Sequence, residues 1–228
     1  MENNANKPIS VILTGATGMV GEGVLYSCLQ SELVTKVLVI GRRPSQVVHR
    51  KLREIIHKDF MDLSAIAGEL AGYDSCFFCL GVSSVGMKEA EYTEKTYTLT
   101  MQIARVLSQV NPDLVFCYIS GAGTDSSENG KIMWARVKGK TENDLMKLPL
   151  RRVYNFRPGV LEPIQGMKNT LGFYKWLGWL LPFIRLVAPS HICSLRQLGL
   201  AMISAASKGY EKQVLEVKDI LILSGSSS

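Results

Sequence analysis

Between Val11 and Val24 the chain reads Val-Ile-Leu-Thr-Gly-Ala-Thr-Gly-Met-Val-Gly-Glu-Gly-Val, with Gly15, Gly18 and Gly21 at three-residue spacing. An apolar run from Ile9 to Leu13 enters the glycines, and a helical repeat of Val20, Val24, Leu25, Cys28 and Leu29 leaves them. A strand turning directly into a helix needs glycine where the backbone turns, where it must approach a ligand, and where the helix packs on the strand. The helix start then offers unpaired N–H groups to an anion, so the segment reads as a cradle for a dinucleotide pyrophosphate. Gly15, Thr17, Gly18, Met19, Val20 and Gly21 are the residues expected to form it.

Apolar strands alternate with helical patterns beyond this point. Ile9–Leu13, Lys36–Ile40, Arg53–His57, Ser75–Leu80, Leu114–Ile119 and Arg152–Phe156 read as strands; Val20–Ser31, Glu89–Val110 and Met133–Leu145 read as helices. Strands apolar on both faces, joined through helices, predict an α/β fold with a doubly wound parallel sheet, the Rossmann arrangement, as one domain over residues 1–228. Ligands in such sheets sit at the carboxyl ends of the strands, which gathers Gly41–Arg43, Asp59–Phe60, Gly81–Ser84 and Ser120–Thr124 beside the glycine turn.

After Gly159 the repeat is expected to stop, leaving 160–228 as a dependent cap on the substrate side. Within it the apolar stretch 171–188 is interrupted by Lys175, Pro182 and Arg185 and so makes a poor membrane span. It reads as a helical hairpin over the sheet, or as a surface for a membrane or for oligomerisation. Val214–Val217 and Ile220–Leu223 look like short strands, and 224–228 like a frayed tail.

The length of 228 residues and an apolar content of 46% suit one sizeable core. Met1–Lys7 is polar, without the apolar region of a secretory signal, so a cytoplasmic location is expected. Five cysteines, mostly inside apolar runs, suit buried reduced thiols. Cys76 and Cys79 form a C-x-x-C, but on a strand they point to opposite faces and no second ligand pair completes a metal site; no metal is expected. The net charge of +6 comes without a nucleic-acid motif, so a phosphate site and a small-molecule substrate account for it better than a nucleic-acid partner.

The second strand ends in Gly41-Arg42-Arg43, where an NAD-preferring site would carry an acid for the ribose hydroxyls. Two guanidiniums can clamp a 2′-phosphate with charge-assisted bonds, which predicts NADP, with NADPH preferred over NADH. Asp59 is expected to accept from the adenine amine beside Phe60.

The motifs Thr14-Gly-Ala-Thr-Gly-Met-Val-Gly21, Cys79-Leu-Gly81, Tyr118-Ile-Ser120, Val137-Lys-Gly-Lys-Thr-Glu142 and Phe156-Arg-Pro-Gly-Val160 follow in the order seen in short-chain dehydrogenase/reductases. Over residues 8–162 the chain most resembles their small atypical, epimerase/dehydratase-like branch, the Tat-interacting tumour-suppressor-like proteins. The resemblance implies a Ser that polarises a carbonyl, a Tyr acting as general acid/base, and a Lys four residues later that binds the ribose and lowers the Tyr pKa. Ser120 and Lys138 match, but the Tyr position holds Trp134, whose indole N–H can donate a hydrogen bond yet cannot exchange a proton near neutral pH. Leu80, Gly81 and Val82, together with Pro158 and Gly159, are implied to border the cofactor.

Tyr92, Tyr97 and Tyr154 read as packing residues, whereas Thr124, Ser126 and Ser127 could serve in place of Ser120. Two readings follow: an NADP-dependent oxidoreductase for a small or lipid-like carbonyl compound, its proton delivered by water or Ser120, or an NADP(H)-binding regulatory or scaffold protein without turnover. A nucleotide-sugar epimerase or dehydratase ranks third, because little chain follows Gly159 to build a large substrate domain.

Overall fold

The computed structural model describes residues 7–164, 166–167, 169 and 192–225. Seven parallel strands form the sheet: β1 (Ile9–Thr14), β2 (Val34–Gly41), β3 (Leu52–Ile56), β4 (Ser75–Phe78), β5 (Val115–Ile119), β6 (Arg152–Arg157) and β9 (Val214–Glu216), in the order β3-β2-β1-β4-β5-β6-β9. The chain leaves β1 in both directions across the sheet, so a crevice opens between the carboxyl ends of β1 and β4. β1, β4 and β5 are buried along their whole length, as strands covered on both faces must be.

Alternation sorts the core into two layers. Val11, Leu13, Phe77, Cys117 and Phe156 face α1 (Met19–Gln30); Ile12, Leu38, Cys76, Phe78, Phe116 and Tyr118 face α3 (Leu99–Val110) and α4 (Met133–Leu145). Each fully buried aliphatic or aromatic side chain contributes about 1.5–3 kcal/mol relative to exposure. Cys76 and Cys79 fall in opposite layers, as expected from their spacing. The helix expected over Glu89–Val110 runs as α2 (Glu89–Thr93), one π turn at Glu94–Thr98, and α3.

The region after Gly159 departs from expectation. β7 (Val160–Glu162) pairs in parallel with β8 (Ile192–Ser194); Ser194 then caps α5 (Leu195–Lys208) by accepting the Gln197 N–H at 3.1 Å. α5 crosses α1 closely because each helix sets a glycine opposite a side chain of the other: a Cβ on Gly23 would lie 2.7 Å from Leu195 Cβ, and one on Gly199 would lie 2.4 Å from Ser27 Oγ. The alternating repeat then resumes, with β9 pairing in parallel with β6. Ile220–Leu223 belongs to α6 (Val217–Leu223) and not to a strand. The Asp219 carboxylate accepts the Glu216 N–H at 3.1 Å and holds the first turn, while Val217 and Ile220, three residues apart, are both buried. The expectations for 171–188 and for the last three residues lie outside the described residues. No helix among the described residues is long and apolar enough to cross a membrane.

Candidate cofactor and active site

The glycine turn has the geometry its spacing predicts. Gly15 sits at φ +78°, a Cβ there would lie 2.5 Å from the Cys79 carbonyl oxygen, and the Gly18 N–H donates to Gly15 O at 2.9 Å. One turn into α1, a Cβ on Gly21 would lie 2.0 Å from Gly15 O, so only glycine lets helix and turn touch. Gly18 occupies the N-cap of α1 without a side-chain cap, leaving the first-turn N–H groups for an anion.

Two hollows meet at Leu80 along the carboxyl edge of the sheet. The first, about 360 Å³, is lined by Gly15, Ala16, Thr17, Val39, Gly41, Arg42, Arg43, Phe60 and Leu80. The second, about 750 Å³, runs from Gly18, Met19 and Val20 across Cys79, Leu80, Gly81 and Ser83 to Ser120 and Lys138, and is closed by Pro158, Gly159, Val160 and Leu161. Arg42, Arg43 and Lys138 line the cleft, and no carboxylate does among the described residues. Such a site favours an anionic ligand. Both Arg42 and Arg43 are exposed at the end of β2, free to turn toward a phosphate.

Lys138 is the most constrained polar group of the wider half. Its Nζ donates to Ser120 O at 3.0 Å and Ile119 O at 3.2 Å, and lies 5.5 Å from the centre of the Tyr118 ring. Burial lowers its pKa from the ordinary 10.5 to about 8, opposed by the negative charge of Glu142. An ammonium has three donors, and two are committed here. One remains for a ligand hydroxyl while Nζ is charged, and none once it is neutral. Affinity for a pyridine nucleotide is therefore expected to fall as pH rises past about 8. Fold stability should move the other way, rising between about 8 and 10.5, because over that window the unfolded chain holds a proton the folded one has released. Titration calorimetry and denaturant unfolding across pH read the two trends; Lys138→Met should remove both.

Ser120 lies in the same wall, its Oγ 2.8 Å from Thr124 Oγ1, while the Thr124 hydroxyl donates to Gly121 O at 2.7 Å. Since Thr124 has one proton and gives it to that carbonyl, Ser120 donates to Thr124 and must swing away to serve a ligand. The other hydroxyls considered for this role stand elsewhere: Ser126 Oγ accepts from the Arg157 guanidinium at 2.6 Å, and Ser127 Oγ donates to Asp125 at 2.6 Å.

Trp134 does not line the cleft. Its indole packs across the turn after β5, 4.0 Å from where a Cβ on Gly121 would sit and 3.7 Å from one on Gly123. Tyr92 is buried, the Tyr97 hydroxyl donates to Asp144 at 2.8 Å, and the Tyr154 hydroxyl accepts the Tyr210 N–H at 2.7 Å. None of the three reaches the wider hollow. Asp59 stays at the surface, where its carboxylate accepts the Met61 N–H at 2.9 Å; Phe60 beside it lines the narrower hollow, and Val82 stands between two lining residues with 40% exposure.

Sequence reasoning placed Ser83 and Ala122 at this edge within its strand-end ranges, but did not single out Val39, Cys79, Ile119, Val160 or Leu161 as wall residues. Each adjoins a strand end that it did identify. It also missed the pair that holds the wall together: Arg157 Nε donates to Glu142 Oε1 at 3.0 Å, a second guanidinium nitrogen donates to Glu142 Oε2, and the third reaches Glu216 at 3.2 Å. This pair ties α4, which carries Lys138, to the strand that leads into Pro158-Gly159. The Ala122 N–H adds a bond to Pro158 O at 2.9 Å.

Known proteins agree with this architecture. A rat protein, HTATIP2, is 30% identical over 158 residues, 67% of this chain and 62% of that protein, so the match spans less than two thirds of the relative's length. The protein FMP52-1, mitochondrial, of Scheffersomyces stipitis is 26% identical over 212 residues, 90% of this chain and 91% of its own. Among solved structures, the Bordetella bronchiseptica enzyme WbmF in complex with NAD+ and UDP superposes with a TM-score of 0.62 at 16% identity, over 99% of this chain and 80% of that one. L-Sorbose reductase from Gluconobacter frateurii complexed with NADPH and L-sorbose reaches 0.66 at 12% identity, over 94% and 96%. These two likenesses establish the Rossmann-like fold. A family match over residues 11–139 covers the glycine turn, the crevice and Lys138, and on that match this chain belongs to the NAD dependent epimerase/dehydratase family.

Proposed function

We propose that the protein binds NADP(H) in this cleft and acts as an oxidoreductase of the atypical short-chain class on a small or lipid-like carbonyl compound. The observation that carries the reading is the pairing of the two hollows: Arg42 and Arg43 stand in one, and Lys138 with Ser120 in the apolar wall of the other. The residues fit the cofactor, since Gly18 caps α1 without a side chain and leaves its first-turn N–H groups open, and Gly15 and Gly21 let turn and helix come together where a Cβ would strike backbone. Gly15–Gly21 and the α1 N-terminus would hold the pyrophosphate, Arg42 and Arg43 a 2′-phosphate, Phe60 the adenine, and Lys138 the nicotinamide ribose. The bound nicotinamide supplies or accepts the hydride. Ser120, released from Thr124, orients the carbonyl oxygen and, directly or through water, delivers the proton that a tyrosine would have provided. Val160 and Leu161 exclude water from the carbonyl side.

NADPH oxidation by the purified chain, measured across short and long-chain aldehydes and ketones, tests this. Turnover that Lys138→Ala abolishes supports it, and NADPH binding without turnover on any member of the panel overturns it in favour of a regulatory, non-catalytic binder. One observation favours that second reading: among the described residues no tyrosine, histidine or carboxylate lines the wider hollow, and the Ser120 proton is already engaged. Trp134→Tyr separates them further. The new phenol replaces an indole that packs over Gly121 and Gly123, so it can add a proton donor only by turning into the wider hollow; a rise in turnover supports the oxidoreductase reading, while Trp134→Phe acts through packing alone. The fungal relative is named mitochondrial, and cell fractionation decides between that compartment and the cytoplasm.

A further inference from the structure

Four cations of this chain collect in one loop. Residues 42–51, between β2 and β3, carry Arg42, Arg43, Arg50 and Lys51 and no acidic residue. The loop is held in shape: the Ser45 N–H donates to Glu54 Oε1 at 2.9 Å, the Lys51 N–H to His49 Nδ1 at 3.2 Å, and the Leu52 N–H to His49 O at 2.9 Å. Gln46 adopts φ +61°, a left-handed conformation that a residue with a side chain takes only at a cost. The two residues that follow are apolar and turned to water. Val48 is 100% exposed and Val47 37%, with Tyr26 of α1, 45% exposed, lining a small hollow together with Val47.

Val47 is partly covered beside α1, but the turn leaves Val48 wholly in water, where it adds nothing to the core, so that side chain answers to something outside the chain. Cations alone would suit any polyanion, but nucleic acid has no use for the valines, and the loop itself offers no aromatic ring for base stacking. A lipid surface uses both features: the apolar tip enters the boundary between headgroups and acyl chains, and the cations meet anionic headgroups. The nearby acids, Glu54 accepting the Ser45 N–H and Glu22 the Asn169 N–H, keep their charge but are outnumbered by the four cations of the loop. We propose that the β2–β3 loop docks the protein on an anionic membrane surface, with Val48 inserting and Arg50 contacting headgroups, while Lys51, whose Nζ donates to Ser31 O at 2.7 Å, adds its charge from within the loop.

The test is co-sedimentation of the full chain with vesicles of phosphatidylcholine, with and without phosphatidylserine, at rising salt. Binding is expected only to the phosphatidylserine vesicles and should weaken as salt rises. Arg50→Glu and Val48→Asp should each weaken it about fivefold or more, the scale of one basic residue near a charged surface. Val48 is fully exposed and Arg50 makes no bond among the described residues, so both variants should keep the thermal midpoint and the NADPH titration of the unaltered chain. Arg42 and Arg43 are left untouched because they line the cleft, which keeps this test separate from the cofactor reading. Failure to bind either vesicle, or full retention by both variants, overturns the proposal. So does binding to a duplex oligonucleotide that Val48→Asp leaves unchanged while vesicles go unbound.

Discussion

Glu142→Ala is expected to destabilise the fold by about 3–5 kcal/mol, the scale for stranding one partner of a buried ion pair. Glu142 has no exposure, and Arg157 is 9% exposed, with its guanidinium facing both oxygens of that carboxylate. Alanine would leave the cation with only the half-exposed Glu216 and the Ser126 hydroxyl. For a chain of this size the loss corresponds to a fall in thermal midpoint of roughly 6–20 °C. Denaturant unfolding measures it. A loss below about 1 kcal/mol, the level of an exposed pair, would show that water reaches this one. Replacing both partners at once, Glu142→Leu with Arg157→Met, should recover most of the stability, because an apolar pair strands no charge. Cofactor affinity should drop in Glu142→Ala as well, since the pair anchors both the helix bearing Lys138 and the Pro158-Gly159 turn.

Arg42→Ala combined with Arg43→Ala should weaken NADPH by about a hundredfold and NADH by a few-fold at most. Each charge-assisted hydrogen bond is worth about 1.5–3 kcal/mol, and only NADPH carries the 2′-phosphate that receives them. The two side chains are exposed at the end of β2 and line the narrower hollow, so the substitution removes charge without opening the core. Calorimetric titration of both nucleotides at matched salt is the measurement, since added salt screens exposed charge and would blur the difference. Equal losses for the two would remove the basis for NADP preference and leave a site indifferent to the 2′ position.

The parts of the site legible in the amino-acid order are those where a residue type meets a local requirement. Gly15 and Gly21 are legible because no side chain fits where they stand, and Arg42 and Arg43 because a strand end is a position fixed by the alternation alone. Lys138 is legible through its spacing from Trp134 on one helix, but its lowered pKa is not. That depends on burial against β5 and on the two carbonyls at the end of that strand. Ser120 stands at a strand end as expected, while its engagement with Thr124 arises only from the way the turn after β5 closes. The resumed repeat at β9 escapes sequence reasoning because a three-residue strand followed by a seven-residue helix leaves too short a pattern to distinguish two strands from one strand and one helix.

The sequence by itself determined the parallel α/β sheet, the glycine cradle and the basic strand end, because apolar periodicity and glycine sterics act over a few neighbouring residues and need no partner from afar. Tertiary structure alone decided that Trp134 packs over Gly121 and Gly123 and stays out of the cleft, that Glu142 faces Arg157 across fifteen residues, and that the chain after Gly159 returns to the sheet beside β6. These outcomes turn on which surfaces exclude water together. That is a property of elements brought together from distant parts of the chain, where the cost of an unpaired buried charge and the space left by a missing side chain settle which contact forms.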